Sequence, residues 1–306
     1  MAHGAMYWES IVGIGAAGGA ATKQLQNVNC GIGKRGTLID KQGARGTRSK
    51  HTGNVTSGPY SVGGPLSVQP SPDELRVILP YVFGTAESGS GTSGTPWVYA
   101  LAETIPDMVV VQEKIAKVFT WDGCKVNTAR FSASAGSPVL SLEMDVQGKT
   151  ETVGNAGTFP SIASTLTIGQ PFLFQQLALT LNSATKVCDN FNLSIDNALM
   201  LDRFLNSQTR TDIPETDRTI TLEVDNPFTA ADVALYDIAV AGFAASAVFT
   251  NGTNILTFSF ANVKAPAETL EAVQRGETMN KLRFTAYETG TPGSTTKELI
   301  TRLSTS

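Results

Sequence analysis

Leu140-Ser141-Leu142-Glu143-Met144-Asp145-Val146 alternates apolar and polar side chains over its whole length, the period of a strand with one buried and one wetted face. Similar short runs recur at Phe172 to Leu181, Ile220 to Val224, Ile255 to Phe260 and Leu282 to Ala286, separated by Gly, Asn, Pro or Asp. The chain therefore reads as mainly β. Two segments break the pattern. Ser71-Pro72-Asp73-Glu74 sets an N-cap serine before a proline suited to the first helical position, with Glu74 placed to close a capping box. That helix is expected to run to about Phe83 and stop at Gly84. Thr229-Ala230-Ala231-Asp232 is a weaker start signal for a second helix ending near Ala241, with Gly242 as the stop.

The strands and helices fall into an order that occurs twice. Ile39-Asp40 matches Ile195-Asp196, Leu66-Ser67-Val68 matches Leu222-Glu223-Val224, and Pro70 and Gly84 match Pro227 and Gly242. Further on, Val118-Phe119-Thr120 matches Val248-Phe249-Thr250, and Leu142 to Val146 matches Leu282 to Ala286. Collinear order points to two tandem β-barrel or β-sandwich modules, each with one flanking helix. The expected division is 1–168, comprising an N-terminal arm (1–36) and an inserted loop (87–111), and 169–306. The Gly/Ser/Thr-rich start of that insertion, Ser88 to Thr95, reads as a mobile loop.

Composition narrows the function. The 306 residues carry 16% charged and 41% hydrophobic side chains, which suits a globular chain and not a disordered one. A net charge of -4 argues against a protein built to grip nucleic-acid phosphates. No stretch is apolar enough to span a membrane, and the segment Met1 to Ile11 has no signal-peptide pattern. Three widely spaced cysteines, Cys30, Cys124 and Cys188, suit reduced thiols, with neither a disulfide framework nor a structural metal. Only His3 and His51 could serve as imidazole bases, and neither has an orienting acid in sequence. No catalytic, cofactor-binding or metal-binding residues are expected.

Gly13-Ile14-Gly15-Ala16-Ala17-Gly18 matches the dinucleotide fingerprint by letter, but the helix and the later acidic residue that a true site requires are missing. It reads as a packed or flexible Gly/Ala arm. Glu143 and Asp145 share a strand face, which is read as solvated rather than as a pair of catalytic acids. Basic residues cluster at Lys34, Arg35, Lys41, Arg45, Arg48 and Lys50, and Arg203, Arg210 and Arg218 lie among acids in the second half. Without interleaved aromatics these loops do not suit single-stranded nucleic acid, and arginine forks suit carboxylates on a protein partner. Arg45, Arg48, Arg203 and Arg210 are therefore expected to contact neighbouring subunits or rings.

The segments Arg45-Gly46-Thr47-Arg48, Pro70 to Leu75, Ala116 to Thr120, Gly123 to Asn127, Ile195 to Leu199 and Arg203 to Arg210, with Phe249-Thr250-Asn251-Gly252, give the chain a resemblance to the major tail tube protein of long-tailed, non-contractile bacteriophages. The resemblance covers roughly residues 35–300 and lies in the order of the segments. It implies a non-enzymatic virion protein without cofactors, assembled in the host cytoplasm. Its rings would stack into a conduit for double-stranded DNA, with no membrane contact. A two-module chain would form trimers that imitate a six-fold ring. Its partners would be copies of itself, the tape measure, tail tip and tail terminator proteins, and DNA in transit without tight binding. Glu143 and Asp145 are the candidates to face the channel. The alternative is a two-domain β-sandwich adhesin or receptor-binding virion component.

Overall fold

The computed structural model describes residues 10–43, 47–85, 87–114, 117–155, 162, 169–227, 239–266, 279–290 and 297–305. Its strands join one hydrogen-bonded network, accompanied among the described residues by one α-helix. The first half contains β1 (Ser10–Ala16), β2 (Lys23–Leu25), β3 (Val28–Cys30), β4 (Gly33–Asp40), β5 (Val55–Val68), α1 (Pro72–Phe83), β6 (Trp97–Ala100), β7 (Met108–Lys114), β8 (Lys117–Ser134), β9 (Ser141–Gly148) and β10 (Thr150–Asn155). The second contains β11 (Leu177–Leu181), β12 (Ala184–Lys186), β13 (Asn190–Asp196), β14 (Thr219–Pro227), β15 (Phe243–Asn251), β16 (Asn254–Lys264), β17 (Met279–Tyr287) and β18 (Leu299–Ser304).

The two halves pair their strands in the same pattern, antiparallel throughout. In the first, β2 pairs with β1, β1 with β7 and β7 with β8; β8 then pairs with β9 and β10, and β9 with β5, which also holds β3 and β4. In the second, β12 pairs with β11, β11 with β15 and β15 with β16; β16 pairs with β17 and β18, β17 with β14, and β14 with β13. Leu66 opposes Met144 as Leu222 opposes Phe284.

Register corrects two of the sequence matches. Val28 and Cys30 oppose Val68 and Leu66 as Phe191 and Leu193 oppose Val224 and Leu222, so Ile195 corresponds to Ile32 and not to Ile39, which opposes Thr56. Val118-Phe119-Thr120 lies on β8, whereas Val248-Phe249-Thr250 lies on β15, the counterpart of β7. The correspondence the sequence offers instead is Asn27-Val28-Asn29-Cys30-Gly31-Ile32 with Asn190-Phe191-Asn192-Leu193-Ser194-Ile195. The glycines and asparagines around those first residues give them the composition of an arm.

A physical seam joins the halves. The C-terminal part of β8, Thr128 to Ser134, pairs along β13, and β6 pairs with β18. An eight-stranded sheet therefore runs β4–β5–β9–β8–β13–β14–β17–β16. One buried core crosses the seam, with Phe131 of β8 against Phe258 of β16 at 5.1 Å between ring centroids. Offset or edge-on aromatic pairs of this kind add to the burial of each ring.

Helix α1 forms as its letters predict. The Ser71 hydroxyl accepts from Glu74 N, the Glu74 carboxylate accepts from Ser71 N, and Gly84 closes the helix in the left-handed region at φ 89°. Leu75, Ile78, Leu79, Val82 and Phe83 go into the same core as Leu140, Leu142, Met144 and Val146. The second expected helix, from Thr229 to about Ala241, lies mostly outside the described residues, which resume at Ala239; Gly242 has φ 94°.

Two segments of the first half are held by hydrogen bonds. From Ser10 the arm is sheet: β1 lies between β2 and β7 with Val12 and Ile14 buried. Its glycines allow close approach, since a Cβ on Gly15 would lie 2.5 Å from Ala20 O and one on Gly13 would lie 2.9 Å from Ile162 Cγ2. The segment Ser88 to Thr95 is also pinned. Ser88 bridges Val98, Thr92 bridges Thr95, and Thr305 N donates to Gly91 O at 2.8 Å. The Arg76 guanidinium stacks over Trp97 at 4.2 Å and forks onto Glu87, holding the Glu87 carboxyl below its usual pKa.

Candidate assembly surfaces

The eight-stranded sheet has one apolar and one polar face, as strict alternation requires. On the polar face Glu143 is opposite Arg130, Asn192 opposite Glu223, and Glu223 opposite Arg283. Arg130 Nε donates to Asn192 Oδ1 at 2.7 Å, Asn192 Nδ2 donates to Glu223 Oε2 at 2.8 Å, and Arg283 Nε lies 3.2 Å from Glu223 Oε1. The result is a transverse ladder of alternating sign across the seam between the halves. Asp145 lies beside it and accepts from Asn127 Nδ2 and Gln147 Nε2, each at 3.0 Å. Glu143, Asp145, Asp196, Glu223 and Asp225 lie on this face with Arg130, Lys281 and Arg283 and, towards its ends, Lys125, Lys264 and Arg35, so its charges nearly balance. Such a face lacks the cation excess that phosphate binding needs.

The second surface is the segment between β13 and β14, residues 197–218, which folds across the first half. Asn197 Nδ2 donates to Val126 O at 3.0 Å and Leu199 N to Asn127 Oδ1 at 3.1 Å. Glu215 Oε1 accepts from Lys125 Nζ and from Ile105 N, both at 2.8 Å. Arg210 is buried as well. It is 7% exposed and donates from Nε to Leu201 O at 2.7 Å and from Nη1 to Val62 O at 3.0 Å, Gln147 Oε1 at 3.1 Å and Gly148 O at 3.3 Å. Burial lowers its pKa, with Asp145 opposing. Arg210 is thus engaged by its own chain, as a buried link between the halves. Sequence reasoning named Arg210 but not its receptors, which are mostly backbone carbonyls and carry no residue signature.

The third surface is a projecting hairpin. β4 pairs with β5, and from Lys34 to Ile39 every residue is exposed. Leu38 is 76% exposed and Ile39 52%. Tyr60 N donates to Gln208 O at 2.9 Å, so the 197–218 segment lies along the hairpin's base. Of the arginines expected to reach other subunits, Arg48 is exposed near the hairpin tip and Arg203 is exposed on the 197–218 segment; Arg45 falls outside the described residues. Leu205, 65% exposed, tops that segment at φ 43°, and Asn206 follows at φ 65°.

Among the described residues there is no cluster of three His, Cys, Asp or Glu side chains able to hold a metal, and no helix is long and apolar enough to cross a membrane. The Gly13 to Gly18 run is edge-to-edge sheet and turn with no following helix, so it cannot cradle a pyrophosphate in the manner of a dinucleotide fold.

A comparison with the curated proteins found no match. Among protein families, the model of the phage tail tube protein family matches residues 3–298. A β-rich chain with a two-faced sheet, contact-rich projecting loops and nearly full-length agreement with that model has one assignment: it belongs to the phage tail tube protein family, a structural component of the bacteriophage tail.

Proposed function

We propose that the chain consists of two tube modules, residues 1–168 and 169–306, and that three copies close into a ring of pseudo-six-fold symmetry. The rings stack to form the conduit through which double-stranded DNA leaves the capsid. One observation carries this reading. β13 is held on one side by β14 and on the other by β8 of the first half, whereas its counterpart, β3 running into β4, is held among the described strands by β5 alone. Repeating the β8–β13 contact from chain to chain, with the C-terminal end of β16 at Lys264 in the place of β8, leaves no open edge among the described strands of that sheet.

Each chain then supplies the eight strands of the continuous sheet, and three supply 24. At about 4.8 Å between strands and a tilt of about 40°, the barrel is roughly 50 Å across its backbone, wide enough for a duplex. The apolar face is already buried against α1 and the outer strands, so the polar face lines the bore. Glu143 and Asp145 stand there beside Arg130, and a face this balanced lets phosphate slide without sticking. Arg45, Arg48 and Arg203 are left for contacts between subunits or rings. The remaining partners are the tape measure, tail tip and tail terminator proteins in the virion tail. Negative-stain microscopy of the purified protein, alone and with tail-tip nucleators, is expected to reveal rings or tubes with three chains per ring by mass. A monodisperse monomer under both conditions would refute the proposal.

A further inference from the structure

Beyond its base, where Gln208 of the 197–218 segment bonds Tyr60 and Ser57, the β4–β5 hairpin projects with exposed residues. A lone two-stranded hairpin is marginal in water, and successive strand residues point to opposite faces, so exposed Leu38 and Ile39 place apolar surface on both sides of it. The second half shows what such a projection does: its 197–218 segment, which stands between β13 and β14 as the hairpin stands between β3 and the end of β5, lies on the neighbouring module.

The pairing registers identify the matching surface on the second module. Lys125 opposite Gln147 corresponds to Asn262 opposite Tyr287, and extending the β14–β17 register past Thr221 makes Arg218 and Glu288, which line one pocket, the counterparts of Val62 and Gly148. In the first module these positions are covered, with Lys125 6% exposed beneath Glu215. In the second, Tyr287 is 46% exposed while Asn262, Arg218 and Glu288 are half-buried; Val240 is 54% exposed, and among the described residues the buried Asn262 Oδ1 has no hydrogen-bond partner. Lys264 Nζ, 5.9 Å from the Tyr287 ring centroid, borders the patch. The surface continues past Glu288 to Glu103, Asp217 and Glu298, with Arg218 paired to Glu298 and Lys297 to Glu103 and Glu288, so the match to the hairpin lies in its apolar residues and not in charge.

We infer that the occupant of the Val240–Tyr287 surface is the β4–β5 hairpin of a second copy in the same ring, with Leu38 and Ile39 covering Val240 and Tyr287. This inference rests on the ring reading and adds to it a specific contact with a direction around the ring.

The test is cysteine pairing in the full chain: Leu38→Cys with Val240→Cys, and Leu38→Cys with Tyr287→Cys, oxidised after assembly and run on non-reducing gels, with each single variant as control. The expected product is a covalent series ending at three chains, because a head-to-tail contact closes there. A series running past three would assign the hairpin to stacked rings and overturn the inference, as would rings visible by microscopy that give no cross-link. Absence of both rings and cross-links would refute the ring reading itself. The variant Leu38→Asp with Ile39→Asp supplies a second readout. It is expected to keep the wild-type far-ultraviolet dichroism as a monomer while raising the protein concentration needed for rings at least about tenfold, because it puts charge where apolar area is buried. Unchanged assembly of that variant would also overturn the inference.

Discussion

Arg210→Ala tests whether the link between the two halves is as strong as its geometry implies. The guanidinium is 7% exposed and its two shortest bonds, to Leu201 O at 2.7 Å and Val62 O at 3.0 Å, are charge-assisted. Each such bond contributes about 1.5 kcal/mol net, and the longer contacts to Gln147 and Gly148 together contribute less than about 1 kcal/mol. Truncation also strands carbonyls in a narrow slot, while it removes the desolvation penalty that lowers the Arg210 pKa. The balance is a loss of about 3 kcal/mol, visible in urea unfolding followed by tryptophan fluorescence as a midpoint lowered by about 1 M. Arg210→Lys keeps the charge but cannot reach both ends of the slot, and falls between the two. The amides of residues 199–213 should exchange faster in the alanine variant while those of β8 and β9 do not, because the segment detaches before the sheet opens. If Arg210→Ala stays within about 0.5 kcal/mol of wild type, the slot is solvated and the link is not structural.

Three further outcomes follow from the packing. Glu74→Ala should destabilise the protein by about 2–4 kcal/mol in the same urea assay, because the 4%-exposed carboxylate accepts from Ser71 N, Ser71 Oγ and Gln26 N, joining α1 to the end of β2; a change below about 1 kcal/mol would contradict that arrangement. Gly15→Ala should lower stability without affecting a nicotinamide titration, which should show no binding in either protein, because the added methyl meets Ala20 O at 2.5 Å. Burial pushes the Cys124 thiol up to about 12 and Cys188 to about 11. Both should resist thiol reagents at pH 8 until the chain unfolds. The neutral thiol is favoured by folding, so its contribution is complete below the unfolded value near 9 and declines as the pH rises from there towards 12. Cys124→Ala should flatten that alkaline slope in unfolding measurements between pH 8 and 11, and an unchanged slope would assign it to other groups.

The residues determined much of this architecture unaided. Alternation over Leu140 to Val146 fixes which side chains enter the core because strand geometry has a period of two and any slip would bury Glu143 and Asp145. Ser71, Pro72, Glu74 and Gly84 fix both ends of α1 because capping is chemistry between near neighbours in the chain. Long-range register was not legible. Nothing local tells Asn27-Val28-Asn29-Cys30 that it corresponds to Asn190-Phe191-Asn192-Leu193, because that equivalence is made by the pairing of each with a distant strand, and the glycines around it resemble a loose arm. Arg210 looked like any surface arginine, since its partners are main-chain carbonyls brought together only by folding. The Ser88 to Thr95 segment has the composition of a mobile loop, and part of what holds it is remote: Thr305 N, after the C-terminal strand, donates to Gly91 O, and Arg76 of α1 stacks on the adjoining Trp97. What lies within one turn or one strand was written in the letters; what depends on two remote segments meeting was decided by the tertiary structure, where burial and hydrogen bonding between those segments choose the register.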